Sequence, residues 1–378
     1  PAKRITVNLA PADLPKEGGR FDLPIAIGIL AASDQLDGSR LKQFEFVGEL
    51  ALTGELRGVH GVIPAILAAQ KAKRSPIIAY QNANEASLVS EQETYFAKNL
   101  LEVVQFLNNQ EKLPLASLLA QEIAVGFSAK NHLDLTDIIG QQHAKRALTI
   151  AAAGQHNLLF LGPPGTGKTM LASRLTALLP EMTDLEAIET ASVTSLVQNE
   201  LNFQNWKQRP FRAPHHSASL PALVGGGTIP KPGEISLAHN GVLFLDELPE
   251  FERKVLDALR QPLESGEIII SRANAKIQFP ARFQLVAAMN PSPTGHYTGT
   301  HNRTSPQQVM RYLNRLSGPF LDRFDLSIEV PLLPQGSLQN AGDRGETSQQ
   351  VRDKVLKVRE IQLARAGKIN AYLSSKEI

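Results

Sequence analysis

The feature that most constrains this chain is a glycine-rich motif at residues 162–169, which reads Gly-Pro-Pro-Gly-Thr-Gly-Lys-Thr. An apolar run at 157–161 precedes it, and a helix-forming stretch at 168–178 follows it. This strand–loop–helix order is typical of a parallel α/β sheet, and the motif has the full spacing of a P-loop. In such a loop the backbone N–H groups surround phosphate oxygens, and the helix directs its positive dipole end at them.

The motif predicts a site for ATP and Mg²⁺. Lys168 is expected to reach the β- and γ-phosphates, and the Thr169 hydroxyl is expected to ligate Mg²⁺. The alternative is a structural Gly-Pro turn without a ligand. We predict that the whole motif contacts the nucleotide, that is Gly162, Pro163, Pro164, Gly165, Thr166, Gly167, Lys168 and Thr169.

Hydrolysis needs two further groups, a carboxylate that holds the metal and a residue that orients water. Asp246 and Glu247 follow the apolar run Val242–Leu245, and Asn290 follows a second apolar run at 284–288. We predict that Asp246 holds Mg²⁺, that Glu247 polarises the attacking water, and that the Asn290 amide senses the γ-phosphate or the water. The alternatives are a solvated loop start and an ordinary Asn-Pro turn.

Composition narrows the class of protein. The 378 residues include 39 Lys+Arg and 37 Asp+Glu, so the net charge is +2 and any DNA-binding surface has to be local. The chain has no cysteine, which excludes disulfides, thiolate zinc sites and cysteine nucleophiles. No stretch is apolar for long enough to cross a membrane and no signal pattern opens the chain, so we expect a cytoplasmic protein without a membrane partner.

Four flanking stretches, together with the P-loop, carry a resemblance to a known family: 135–141, 209–216, 232–247 and 316–325. The chain resembles the magnesium-chelatase-like branch of the AAA+ ATPases, and within it the ComM/YifB family of competence proteins. The resemblance implies an α/β fold class. A Lon-protease-like α+β amino-terminal domain is expected to precede an AAA+ P-loop domain with a parallel sheet and a partial helical lid.

The pattern along the chain predicts four segments. Residues 1–107 are the Lon-like domain, 108–132 a polar linker, 133–333 the AAA+ core, and 334–378 the partial lid. The chain begins at Pro1, and we expect the opening strands of the first domain and the end of the lid to be missing. In the first domain the pattern predicts strands at 5–9, 44–47 and 76–79, and helices at 23–33, 62–73 and 100–107.

Lon-type proteolysis needs a serine nucleophile and a lysine base. The resemblance places the serine position near Arg20 and the lysine position near Ile63, and neither residue can perform that chemistry. We therefore expect a Lon-like scaffold without peptidase activity.

The Asp-Arg-Phe triplet around Arg323 resembles the Ser-Arg-Phe arginine-finger motif of the related MCM helicases. The resemblance implies that Arg323 reaches the γ-phosphate of a neighbouring subunit, with ATP sites between the subunits of a hexameric ring. Arg315 and Arg311 are the fallback candidates. The alternative for Arg323 is a salt bridge to Asp322 or Asp325.

A β-hairpin is predicted just before the Asn290 strand, with strands at 268–271 and 276–279. The resemblance places such a hairpin at the pore of the ring, where Arg272 and Lys276 would contact a DNA backbone. A solvated turn explains these two charges equally well.

The segment that carries Arg209, Arg212, His215 and His216 invites either a phosphate-binding or a metal interpretation. His215 and His216 are adjacent, and on an extended segment they would point to opposite faces, which makes them poor joint ligands. Ser292 and Thr294 occupy places where many relatives carry cysteines, so we do not expect a zinc site.

The resemblance implies an ATP-hydrolysing ring motor that acts on single-stranded or branched DNA. Within the family this activity is branch migration during the integration of transforming DNA. Two alternatives remain open, a metal-insertion motor like magnesium chelatase and a protein-remodelling ATPase without a nucleic-acid substrate. The Lon-like domain favours the DNA motor, because chelatase ATPase subunits lack one.

Overall fold

The computed structural model describes residues 4–9, 18–89, 93–119, 133–198, 205–227, 230–272, 275–295, 305–334, 336 and 344–378. The chain divides into two compact units. The first unit comprises Pro1–Ala129, Asp184–Trp206 and Ser271–Lys276. The second unit comprises Lys130–Thr183, Lys207–Ile270 and Ile277–Ile378.

The first unit is built on a three-stranded parallel sheet with the order β1-β4-β5. A short antiparallel pair, β2 and β3, lies outside this sheet. The strands are β1 (Phe44–Val47), β2 (Glu49–Leu50), β3 (Leu56–Arg57), β4 (Ser75–Ala79) and β5 (Tyr95–Ala97). The helices are α1 (Asp22–Ala32), α2 (Val62–Lys71), α3 (Ala83–Ser87) and α4 (Leu100–Leu107), with 3₁₀ turns at Gly19–Phe21, Gly38–Gln43 and Tyr80–Asn82.

One predicted strand of the first unit is wrong. Residues 4–9 form neither helix nor strand, and the Ile5 and Val7 side chains are 49% and 48% exposed. Apolar alternation marks a strand only where a neighbouring strand pairs with it, and none of the described strands pairs with these residues. The other predicted strands and helices of this unit are present within one or two residues.

The first unit also continues past residue 107, where we predicted that a linker begins. The Phe96 N–H donates to the Pro114 carbonyl at 3.2 Å, and the Ala116 N–H donates to the Thr94 carbonyl at 2.8 Å. Leu113 and Ala116 are buried in the core of this unit. Residues 120–132 of the predicted linker lie outside the described residues.

The second unit is built on a five-stranded sheet in which every neighbouring pair is parallel, with the order β14-β6-β13-β10-β7. Its strands are β6 (Leu158–Leu161), β7 (Phe211–Arg212), β10 (Val242–Leu245), β13 (Gln284–Met289) and β14 (Leu326–Glu329). Two short antiparallel pairs accompany the sheet: β8 (Gly225–Gly226) with β9 (Lys231–Pro232), and β11 (Glu267–Arg272) with β12 (Ala275–Pro280).

Helices cover this sheet. They are α5 (Gln142–Gly154), α6 (Lys168–Leu178), α8 (Leu220–Val224), α9 (Glu234–Leu237), α10 (Arg253–Ala258), α11 (Arg260–Ser265), α12 (Pro306–Leu313), α13 (Gly318–Leu321) and α14 (Ser348–Ala366), with 3₁₀ turns at Leu135–Asp137, Leu248–Glu250 and Asn370–Tyr372. Val351 and Val355 of α14 join the core formed by α5, α6 and the sheet. Within the described part of the predicted lid segment, the long helix α14 packs on the second unit and the 3₁₀ turn Asn370–Tyr372 follows it.

Burial in the core of the second unit explains why the sequences of its strands are continuous apolar runs. Every residue of β10 and β13 is buried, as expected for parallel strands covered on both faces. Alternate strand residues, such as Leu158 and Phe160, pack in the same cluster as the inward faces of α5 and α6.

One helix lies in a different unit from its neighbours in the chain. Helix α7 (Asp184–Ser195) lies within the predicted AAA+ segment, yet it belongs to the first unit. Its Ala191 packs in the cluster that contains Ile63 and Ile66 of α2, and the Gly61 N–H donates to the Ser195 carbonyl at 2.7 Å. The chain therefore leaves the second unit after α6 and returns to it before β7.

The second unit should depend strongly on Phe160, because this side chain is 0% exposed on β6, an inner strand of the sheet. Phe160→Ala is expected to lower the free energy of unfolding by about 3–5 kcal/mol through lost burial and the cavity left behind. Urea unfolding of the whole chain, followed by far-UV circular dichroism, measures this. Ile361→Ala is the control, because Ile361 on α14 is 68% exposed. This substitution should change the free energy of unfolding by less than about 0.5 kcal/mol. Equal effects of the two substitutions would contradict the assigned core.

Candidate active site

The predicted catalytic residues of the second unit converge at one edge of its sheet. Gly162, Asp246 and Asn290 each follow directly on a strand, namely β6, β10 and β13. These strands are neighbours and parallel, so their carboxyl ends lie side by side. The Gly162 N–H donates to the Met289 carbonyl at 3.2 Å, which fixes the start of the P-loop against β13. In open α/β sheets this edge is where ligands bind.

Three glycines determine the shape of the P-loop. Gly165 and Gly167 have φ values of 77° and 87°, a backbone conformation that glycine adopts at no steric cost. At Gly162 a Cβ atom would lie 2.2 Å from the Val330 carbonyl oxygen. Helix α6 then begins at Lys168, as predicted, so its amino terminus faces the loop.

Lys168 is the buried centre of the site, with 8% of its surface exposed. Its ammonium group donates to the Gly162 carbonyl at 2.7 Å, to the Pro163 carbonyl at 2.8 Å and to the Asn290 Oδ1 at 3.1 Å. Burial lowers the pKa of Lys168, while the carboxylates of Asp246 and Glu247 act in the opposite direction. The ammonium therefore lies between the start of the P-loop and the end of β13.

The two predicted Mg²⁺ ligands lie in contact. The Thr169 hydroxyl donates to Asp246 Oδ2 at 2.6 Å. A hydroxyl and one carboxylate suit Mg²⁺, which usually keeps several waters and takes its other ligands from phosphate oxygens. The pair fits a nucleotide-bound Mg²⁺ better than an all-protein metal site, because the described residues include no group of three or more His, Cys, Asp or Glu placed to hold a metal.

Glu247 lies in the left-handed region, with a φ of 52°, and its N–H donates to Asp246 Oδ1 at 2.9 Å. Its half-exposed carboxylate Oε2 lies 3.1 Å from His216 Nδ1. Sequence reasoning missed this contact. His216 and Glu247 are 31 positions apart, and only the pairing of β7 with β10 brings their segments together.

The residues around His216 differ from the sequence expectation. We expected His215 and His216 to point to opposite faces, but their ring centroids lie 4.1 Å apart, because the chain turns after β7 instead of staying extended. Neither arginine of the segment provides a free phosphate contact. Arg212 makes a two-bond ion pair with Glu234 at 2.6 Å, and Arg209 donates to backbone carbonyls.

Tyr312 of α12 contacts the backbone of Asn290. Its side chain is buried and makes a hydrogen bond with the Asn290 backbone. Burial raises the pKa of Tyr312 to about 12, and the carboxylates of Glu250 and Glu247 add to this increase. A neutral hydroxyl therefore holds the end of β13.

Arg323 is not at the edge where the P-loop lies. It precedes β14, at the amino-terminal edge of the sheet, where the Asn157 side chain donates to its carbonyl at 2.9 Å. Its guanidinium pairs with Glu264, and not with Asp322 or Asp325 as the alternative prediction had it. The fallback candidate Arg315 pairs with Glu250 at 2.8 Å.

The two predicted DNA contacts lie on the hairpin formed by β11 and β12. Arg272 ends β11, but its side chain lies outside the described residues. Lys276 is exposed on β12. Both remain predictions.

Two family models match the chain. One, described as magnesium chelatase, subunit ChlI, matches residues 134–338, and the other, described as subunit ChlI of Mg-chelatase, matches residues 1–82. The competence protein ComM of Haemophilus influenzae is 91% identical over 100% of this chain and 74% of its own length. The protein YifB of Escherichia coli is 59% identical over the same shares. The chain belongs to the ComM/YifB family of magnesium-chelatase-like proteins.

Membership in this AAA+ family implies an ATPase. A solved structure of the magnesium chelatase BchI–BchD complex is 25% identical to the chain, with a TM-score of 0.39 over 63% of this chain and 78% of the other. The model for residues 1–82 also carries the chelatase name. No helix within the described ranges is long and apolar enough to span a bilayer.

The packing of Gly162 generates a test of the site. Gly162→Ala would press a methyl group against the Val330 carbonyl and displace the P-loop, so kcat/KM for ATP should fall about 10–100-fold. Steady-state ATP hydrolysis measures this, with circular dichroism to verify folding. Gly28→Ala in α1 is the matched control, because no atom lies within 4 Å of a Cβ there. Normal kinetics in Gly162→Ala would contradict the loop geometry.

Proposed function

We propose that this chain is an ATP-driven motor that acts on DNA. The observation that carries the proposal is the convergence of Lys168, the Thr169–Asp246 pair, Glu247 and Asn290 at one sheet edge. The Haemophilus influenzae relative is named a competence protein, and competence is the state in which a cell takes up DNA. DNA, single-stranded or branched, is therefore the substrate class, and branch migration during integration of DNA is the activity that we propose.

Each side chain of the site would have its own role in hydrolysis. Lys168 would neutralise charge on the β- and γ-phosphates, and the Thr169 hydroxyl and the Asp246 carboxylate would hold Mg²⁺. Bound Mg²⁺ supplies charge neutralisation to the phosphate oxygens. Glu247 would accept the proton of the attacking water, and the Asn290 amide would orient that water or the γ-phosphate while it stays fixed to Lys168.

Arg323 would complete the site from a second subunit. Within its own chain it lies at the opposite edge of the sheet from the P-loop, so it does not serve the P-loop that follows β6. A residue that neutralises transition-state charge from a neighbour requires a head-to-tail ring, for which we propose a hexamer. The ion pair with Glu264 would hold Arg323 in place until the neighbour docks.

The competing function is a motor without a DNA substrate. Both family models carry the name of a magnesium-chelatase subunit, which supports an ATPase that drives a partner protein. The near-neutral net charge of +2 also fits a protein partner. The two functions share the hydrolysis site and differ in what stimulates it.

Stimulation by DNA distinguishes the two functions. We expect ATP turnover to rise with single-stranded DNA or a four-way junction, and the increase to vanish in Lys168→Ala, which lacks the phosphate-binding ammonium. A coupled ATPase assay without DNA and with each DNA measures this. If turnover of the wild-type protein is indifferent to both DNAs, the DNA motor is wrong and the partner-protein alternative takes its place.

Complementation between inactive variants tests the position of Arg323. Arg323→Ala should lower kcat by about 10³-fold or more, the usual contribution of an arginine finger. An equimolar mixture with Lys168→Ala should recover activity at about a quarter of the sites, where an intact P-loop meets an intact finger. Glu264→Gln removes the ion-pair partner but leaves the finger, so it should keep most of the activity. A mixture that stays inactive would show that Arg323 does not act across a subunit interface.

A further inference from the structure

Asn157, the residue immediately before β6, uses both ends of its side-chain amide. Its Nδ2 donates to the Arg323 carbonyl at 2.9 Å, and its Oδ1 accepts from the Leu285 N–H at 2.8 Å. Because the donor and the acceptor are both engaged, the orientation of the amide is fixed. An ionised carboxylate only accepts hydrogen bonds, so an amide suits this position and an aspartate of the same shape does not.

The backbone of Asn157 holds the same segment. The Asp325 and Leu326 N–H groups both donate to the Asn157 carbonyl at 3.1 Å, and the Asn157 N–H donates to Asp325 Oδ2 at 2.7 Å. With the side-chain bond to Arg323, four hydrogen bonds join this one residue to the segment. Residues 322–325 connect α13 to β14, so these bonds fix the connection that carries Arg323.

The bond to the Arg323 carbonyl lies outside the pairing of the sheet. The parallel ladder of β14 and β6 begins with Leu326 opposite Leu158. Arg323 comes before that register, so the Asn157 side chain reaches beyond the ladder to hold it. The Arg323 side chain is 35% exposed, so its guanidinium reaches the surface while its backbone is held in place.

The P-loop lies at the other end of the same strand. Asn157 precedes β6 and Gly162 follows it, which places the two residues about 16 Å apart along an extended strand. The side-chain amide of Asn157 therefore contacts the segment of Arg323 and the start of β13, and not the residues that would bind nucleotide in its own chain.

We propose that Asn157 is a positioning residue for Arg323, and that it acts on the ATP site of the neighbouring subunit. The proposal rests on the function proposed above, in which Arg323 is the arginine finger of a ring. A finger stabilises transition-state charge only when its guanidinium meets the phosphate oxygens at hydrogen-bond distance. Loss of the bond to the Arg323 carbonyl would displace the finger and slow the chemical step at the neighbour's site.

Asn157→Asp tests the role of the amide, because it keeps the size of the side chain and removes the donor. kcat without DNA should fall about 10–100-fold through displacement of the finger, while KM for ATP should stay unchanged because the P-loop is intact. Asn157→Ala lacks the donor without adding a charge and should behave in the same way, which covers the case in which the aspartate disturbs folding. Steady-state ATP hydrolysis measures both values.

Asn84→Asp is the matched control, because it makes the same chemical change at an exposed site of α3 in the first unit. This variant should keep wild-type kinetics. A wild-type kcat in both Asn157 variants would overturn the proposal, and so would an increase in KM that accounts for the whole loss of kcat/KM.

Mixtures of variants show on which subunit Asn157 acts. Asn157→Asp with an equal amount of Lys168→Ala should recover activity at about a quarter of the interfaces, where the P-loop of Asn157→Asp meets the undisturbed finger of Lys168→Ala. Asn157→Asp with Arg323→Ala should stay slow, because neither variant offers a well-placed finger. Circular dichroism verifies that each variant is folded before mixing.

The contrary outcomes separate this proposal from the proposed function. Recovery with Arg323→Ala would show that Asn157→Asp still offers a working finger, and would overturn the positioning role. Recovery with neither partner would show general damage to the chain and overturn it too. Arg323→Ala mixed with Lys168→Ala is the reference. If the reference mixture stays inactive, the finger of the proposed function fails, whereas an active reference with either contrary outcome rejects only the role of Asn157.

Discussion

The buried ammonium of Lys168 is the interaction on which the rest of the site depends. It joins the P-loop, through the Gly162 and Pro163 carbonyls, to the end of β13 at Asn290. A buried charge is tolerated only when hydrogen bonds satisfy it, and these three acceptors do so. The nearby carboxylates of Asp246 and Glu247 favour its charged form. The P-loop and the end of β13 are thereby held in one geometry.

The parallel sheet makes this geometry possible. Because β6, β13 and β10 are neighbours and run in the same direction, residues far apart in the chain end at a common edge. The Thr169–Asp246 hydrogen bond of 2.6 Å is a direct result. The same architecture places Arg323 before β14, at the other edge, which is why we propose that it acts on a neighbouring subunit.

Sequence reasoning failed where pairing and packing decide the outcome. The apolar pattern at 5–9 predicted a strand, but no described strand pairs with it. Helix α7 lies within the segment predicted as the AAA+ core, yet its buried face fits the apolar cluster of the first unit around Ile63. A helical period shows which face of a helix is buried, but not which core covers it.

The sequence by itself determined the P-loop, the strands that lead to Asp246 and Asn290, and the family, because spacing and apolar runs are local properties of the chain. Only the tertiary structure decided which side chains meet across strands. It brought His216 to Glu247, and it paired Arg323 with Glu264 instead of a neighbouring aspartate. These contacts depend on the order of the strands in the sheet and on the turns that follow the strands. Local sequence patterns indicate neither of these.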